Sequence, residues 1–447
     1  MRDKAIAAVV ERQPLTLNDL SILHEYDPQR YPHLLESVAQ GQLGQFDILF
    51  AFPQAPLVLE QASQSDVFKQ SFFADYQSHH SQVESDSDLP FRGGWFVYFA
   101  YEYAQVVEPS LQAHASELPM AWIQHCPAAV LIDHRNQQVC FVGADAAQVA
   151  QMQADYQACI TKGKGQTPVL TALWQEEAPQ DYINAVERIK EYILAGDVFQ
   201  VNVSRLWQTT TQATPLQVYR QLRENNPAPF ACLLNFEADH QAWSIISSSP
   251  ERLVRYQDGW VETRPIAGTR KRSDAPEKDL ALIEELISHP KERAEHIMLI
   301  DLERNDLGRI CQPGTVEVNE LMVVETYRHV HHIVSNVRGH LREGMNPLDV
   351  VEAVFPGGTI TGCPKVRCME IIHELESGAR EAYTGSAGYI NYDGTLDLNI
   401  LIRSFLQQGD QLRFRAGAGI VADSIAEKEL EETRHKAKGL LRALEGR

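Results

Sequence analysis

The chain lacks any run of eighteen apolar residues, so nothing in it reads as a membrane-spanning helix. Its start, Met-Arg-Asp-Lys-Ala-Ile, lacks the apolar region of a secretory signal. Cysteines are few and odd in number, seven, with no Cys-x-x-Cys pair and no zinc-like spacing. That argues against a disulfide framework or structural zinc and for a reduced, cytoplasmic setting. Basic residues are in deficit: 40 Lys and Arg stand against 60 Asp and Glu, a formal net charge of −20. Such a field disfavours nucleic acid and anionic membranes as partners, and an anionic substrate would need a locally positive site. Internal repeats and low-complexity segments are absent as well.

What is present is 447 residues, enough for one large or two medium domains. Residues 46–52 read as a strand and 93–101 as a buried one, aromatic-rich and opened by a Gly-Gly turn. Residues 128–134 and 138–143 read as a hairpin. The polar run 81–88 reads as a solvated loop and 161–168 as a linker, dividing the chain into 1–160 and 175–447. The spacing predicts a helix over 181–195, stopped by Gly196. Strands and helices mix without a βαβ beat, so the expected class is α+β with large antiparallel sheets.

One stretch stands out: Pro-Gly-Gly-Thr-Ile-Thr-Gly-Cys-Pro-Lys over 356–365. Glycines permit close backbone approach, Pro364 suits a first helical position, and Val366, Met369, Ile372 and Leu375 give one apolar face. A loop opening a helix, with Thr359, Thr361, Lys365 and Arg367 beside it, is expected to attract an anion.

With Gly196-Asp-Val-Phe-Gln-Val-Asn-Val-Ser204, Ser249-Pro-Glu-Arg252, Arg264-Pro-Ile-Ala-Gly-Thr-Arg270, the 293–306 segment, His331-His-Ile-Val-Ser335, Ile402-Arg403, Ala416-Gly-Ala-Gly419 and Glu429-Leu-Glu-Glu-Thr-Arg-His-Lys436, this stretch resembles the chorismate-utilising enzymes. That family includes the anthranilate, aminodeoxychorismate, isochorismate and salicylate synthases, and the resemblance implies its α+β architecture: large antiparallel sheets packed together, helices outside, two intertwined lobes. The resemblance implies Mg²⁺ held by Glu295 and Glu432, with Glu429 holding a metal-bound water; Mg²⁺ prefers oxygen ligands and keeps several waters. It implies Glu251 as general acid for the departing hydroxyl, with His332 and Thr359 at the ring. Gly268, Thr269, Tyr383, Arg403, Gly417, Ala418, Gly419 and Lys436 would then bind substrate, Arg403 as a planar fork for a carboxylate. Ser37, Pro229 and Phe230 match the family's tryptophan pocket, with an ordinary packed turn as the alternative.

Two positions bear on the branch. Water-adding members carry a lysine base where this chain has Gln200, which cannot take a proton at neutral pH; amination by ammonia is therefore expected. Ala267 stands where aminodeoxychorismate synthases often carry a nucleophilic lysine. The loop sequences resemble that branch more closely, so the expectation is 4-amino-4-deoxychorismate from chorismate and ammonia, on the 4-aminobenzoate and folate route. Anthranilate is the alternative product, and a silent chorismate- or tryptophan-binding regulator the non-enzyme alternative. No cysteine sits in a Gly-x-Cys-x-Gly elbow, so ammonia is expected from a separate glutamine amidotransferase subunit.

Overall fold

The computed structural model describes residues 8–38, 44–80, 88–162, 173–238, 241–327 and 330–444. The loop expected at 81–88 and the linker at 161–168 lie mostly outside them. Two antiparallel sheets of twelve and ten strands dominate, and strands from before residue 160 pair with strands from after 175 in both. His33–Glu36 pairs with Phe230–Ala238 in the larger sheet; Gly94–Phe99 pairs with Ser386–Asn391 in the smaller.

Aromatic and β-branched residues explain where the core sits. Along Gly94–Phe99 every residue is buried. Phe96 and Tyr98 join Phe236, Trp243 and Leu406 of the larger sheet, while Trp95, Val97 and Phe99 join the opposite cluster with Phe72 and Phe355. A strand covered on both faces loses the polar alternation of a half-solvated one. The hairpin is present as Ala128–Asp133 and Gln138–Gly143. The expected helix is Pro179–Ala195, with Gly196 in the left-handed region at φ 83°, where a residue without Cβ carries no penalty.

Helix Lys365–Leu375 differs in detail from the expectation. Pro364 is the extended residue before it rather than its first member, and the buried face is Cys368, Met369, Ile371 and Ile372, leaving Val366 exposed. The face is set by the sheet beneath, where Cys368 Sγ meets Gln200 O at 3.1 Å.

The seam between the sheets positions the site. Strand Gln241–Ser249 belongs to the larger sheet and Arg252–Gln257 to the smaller, so Pro250 and Glu251 are a two-residue crossing. Leu396–Asn399 and Ser404–Gln408 make a second crossing, which carries Arg403. The crossings are tied together: Ile400 N donates to Glu251 O at 3.0 Å, and Ser249 Oγ donates to Ile400 O. Leaving a ladder frees the backbone from regular dihedrals, which is how side chains from two sheets come to face one another.

Candidate active site

Glu251 is 6% exposed at its crossing, and burial pushes its carboxyl up to about 7. The Thr359 hydroxyl, the Ile266 N–H and the Arg403 charge pull it back down by less. Glu251 Oε1 and Thr359 Oγ1 are nevertheless both buried without a well-aligned hydrogen-bond partner among the described residues. A buried carboxyl lacking partners holds its proton, because the charged form loses water's solvation.

His332 lies on the central strand Val330–His340, directly opposite Thr269 on Ile266–Lys271. That register brings Thr269 Oγ1 to 2.9 Å from His332 Nδ1. Burial and the Arg403 charge push the imidazole down to about 4, so it is neutral near pH 7. His331 faces away: Nε2 meets Asp279 Oδ1 and Nδ1 meets Thr326 Oγ1, each at 2.9 Å, making it a satisfied core histidine.

Arg403 sits at φ 54°, an uncommon conformation for a residue with Cβ. Its charge reaches both Glu251 and His332, yet no described residue forms a hydrogen bond or ion pair with its guanidinium. An unpaired planar fork beside a neutral acid and a neutral imidazole is suited to a carboxylate.

Gly417, Ala418 and Gly419 lie on Gln411–Ile420, opposite Ser204, Val203 and Asn202. The neighbouring strand Ser404–Gln408 pairs only as far as Phe414, so beyond it the ladder has Gln200–Thr210 as its partner among the described strands, which leaves alternate amides outside the ladder. A Cβ on Gly417 would stand 2.9 Å from the Tyr383 hydroxyl, and one on Gly419 would stand 2.5 Å from Gln200 Nε2. These glycines let Tyr383 and the buried Gln200 close on the strand. Lys436 Nζ donates to Gly417 O at 3.0 Å and pairs with Glu432 at 3.0 Å. Gly268, at φ 65°, is pressed by Glu292 and Leu286, which leave no room for a side chain.

Glu429 and Glu432 share helix Ala426–Leu444, and both act electrostatically on the same Tyr182 that senses Tyr383. Ser424 Oγ donates to Glu429 Oε1 at 2.7 Å. Glu295 stands half-buried on Pro290–Gly308. Among the described residues no three His, Cys, Asp or Glu converge on one point. The donor set is nonetheless all carboxylate oxygen, which fits Mg²⁺, an ion that takes one or two carboxylates and completes its shell with water and substrate.

The expected anion loop is corrected in part. Lys365 Nζ is tied to Asp306 Oδ2 at 2.5 Å and Val354 O at 3.1 Å, and Arg367 to Asp197 and Glu370. The Thr361 hydroxyl donates to Gly357 O at 2.9 Å. These donors brace the loop; of the group, Thr359 alone joins the acid. Glu303, which the motif reading passed over, is also here, on the inner face of Pro290–Gly308 and within reach of the Glu251 charge. The spacing 292, 296, 299, 303, 306 along that helix was the available signal.

Away from the acid, Ser37, Pro229 and Phe230 line a cavity of about 340 Å³. Ser37 Oγ donates to Pro229 O at 3.2 Å. Arg252 forks onto Asp397 at 2.8 and 2.9 Å and lies 5.2 Å over the Phe230 ring.

A family of chorismate binding enzymes matches residues 31–442, and the chain belongs to that family. Within it, the chain is 44% identical to an anthranilate synthase component I-like protein of Synechocystis, over 80% of this chain and 74% of that one. It is 41% identical to aminodeoxychorismate synthase component 1 of Bacillus subtilis, over 81% and 80%. It is 37% identical to anthranilate synthase component 1 of Acinetobacter calcoaceticus, over 98% and 95%. The crystal structure of anthranilate synthase component I from Streptococcus pneumoniae superposes with a TM-score of 0.77 at 30% identity, over 89% of this chain and 92% of that one. The chain is thus a chorismate-utilising enzyme of α+β architecture, and the names of these relatives divide between anthranilate synthase and aminodeoxychorismate synthase.

Proposed function

We propose that the chain is component I of 4-amino-4-deoxychorismate synthase. The reading is carried by one observation: a buried carboxyl that keeps its proton near neutrality lies in the field of an arginine that no described residue pairs. Glu251 donates its proton to the C4 hydroxyl, which leaves as water, while ammonia supplies the amino group that ends at C4; the sum is chorismate plus ammonia to aminodeoxychorismate plus water. Arg403, Tyr383, the Gly417–Gly419 amides and Lys436 hold the enolpyruvyl carboxylate. His332, Gly268, Thr269 and Thr359 line the ring. Glu295 and Glu432, with Glu429, would hold Mg²⁺, which supplies positive charge for the ring carboxylate. The neutral, buried Gln200 against Gly419 offers no base to activate water, which supports amination over hydration. Ala267 excludes a covalent adduct at that position, and Lys271 is exposed at the end of its strand, which supports direct use of ammonia.

Anthranilate formation is the second reading, favoured by Ala267 and by the names of several relatives. Incubating the chain with chorismate, Mg²⁺ and ammonium and identifying the product separates the two. The expected result is aminodeoxychorismate, lost on chelation, with glutamine inert until an amidotransferase subunit is added. Anthranilate formed without any added lyase would move the assignment to the second reading. The cavity at Ser37, Pro229 and Phe230 is read as an amino-acid pocket of the tryptophan type, supported by its paired ionic and aromatic walls.

A further inference from the structure

Helix Pro290–Gly308 turns an unusual face inward. Leu299, Ile300, Leu302 and Leu307 are buried as expected, but His296, Glu303 and Asp306 are buried with them. Glu303 is 6% exposed, and its Oε1 lies 3.4 Å from where a Cβ on Gly358 would stand. The next residue, Thr359, is the neighbour of the Glu251 carboxyl, and the Glu251 charge acts directly on Glu303.

We propose that Glu303 is a positioning residue for the acid: with Glu251 it forms a pair of buried carboxyls across the Gly358–Thr359 turn, and the pair, rather than either member, holds the proton used in the reaction. This rests on the reading of Glu251 as the acid.

The groups facing the pair come from six segments of the chain. Asp306 from the same helix repels a charge on Glu303, and Lys365 from Lys365–Leu375 attracts it. Lys365 is already bound to Asp306 at 2.5 Å, so the two largely offset each other. The Thr263 hydroxyl lies beside Glu303, and Thr359, the Ile266 N–H and Arg403 face Glu251. Burial is the main cause for both carboxyls, pushing Glu251 up to about 7 and Glu303 up to about 8. Two like charges sharing one buried site disfavour double ionisation, so their protons leave in two steps that belong to the pair. With Glu303 present, the state in which Glu251 keeps its proton persists to higher pH. With a neutral side chain in its place, Glu251 titrates alone and earlier.

The test is an infrared titration of the protonated-carboxyl stretch in the full chain, without substrate, for the wild type, Glu303→Gln and Glu251→Gln. In the wild type two carboxyls should lose their protons near neutrality. In Glu303→Gln a single remaining band should titrate about one pH unit lower. The high-pH limb of chorismate consumption should move by the same amount. Glu251→Gln removes the same interaction, so the remaining Glu303 band should also titrate below the upper wild-type step, and this arm decides the matter if Glu303→Gln does not fold. Midpoints that stay put in either folded variant overturn the pair. A wild-type chain that consumes no chorismate would overturn the proposed function, while the titration would still decide the pairing.

Discussion

At the scale of single residues, the chemistry depends on which charges are left unpaired. At pH 7 an unshifted carboxyl at 4.5 would be protonated in only about one molecule in 300. Burial to about 7 makes Glu251 a usable acid, so kcat/KM should fall as pH rises through 7. Glu251→Gln should lower kcat by about 10²–10⁴-fold, read from initial rates at saturating ammonia. Arg403→Lys keeps the charge and loses the fork. A charge-assisted hydrogen bond is worth about 1.5–3 kcal/mol, so KM for chorismate should rise roughly 10- to 100-fold. An unchanged KM would show that the guanidinium does not touch substrate. The Arg403 motif was legible in the sequence; its lack of an ion pair was not. Lys365 shows the converse, a motif cation that looks available until Asp306 is seen beside it.

Elements hold these residues by their crossings and close approaches. Gly362, at φ 135°, pairs as Gly362↔Val201, and a Cβ there would stand 2.1 Å from Gln200 O. That neighbour is backbone and cannot rotate away. Gly362→Ala should therefore cost about 2–4 kcal/mol from strain and overpacking combined. Urea denaturation should show it as a lower midpoint at unchanged slope. A loss within 0.5 kcal/mol would mean the short Gly362–Cys363 pairing does not hold the loop against Gln200–Thr210. The sequence exposed the glycines and the helix that follows; it did not expose the strand beneath them, because pairing between residues 201 and 362 is set by distant parts of the chain.

For the whole molecule, buried titratable groups set the pH dependence of stability. Glu36, Glu102 and Glu251 are pushed up to about 7 and Glu303 to about 8, mainly by burial. Each binds its proton more tightly folded than unfolded, so each lowers stability as pH rises from 4.5 to its folded value. Buried His125, His296 and His332 are pushed down to about 4 and His33 to about 3, and these raise stability as pH climbs to 6.5. The two sets oppose each other below 6.5. Above it these four are neutral in both states, while the carboxyls still act, joined by His134, which its hydrogen bond to Asp47 holds above the usual imidazole value. Calorimetry should give a Tm that changes little between about pH 5 and 6 and falls toward pH 8. A Tm rising steadily over that range would show these carboxyls to be ionised in the folded protein.

Local chemistry in the sequence was enough to indicate much of this protein. The aromatic run before residue 101, the helix ended by Gly196 and the α+β class follow from periodicity and from what glycine permits. Glu251, His332, Thr359 and Arg403 could be picked out because the motifs around them resemble those of the chorismate-utilising enzymes, and each type suits the task which that resemblance implies. What only the tertiary structure decided is which of them face one another. The acid and the arginine sit on two separate crossings between sheets, about 150 residues apart in the chain, and Glu303 arrives from a third element. Residue type fixes what a side chain can do, whereas burial and pairing, which decide whether it does so, depend on partners that sequence spacing does not bring together.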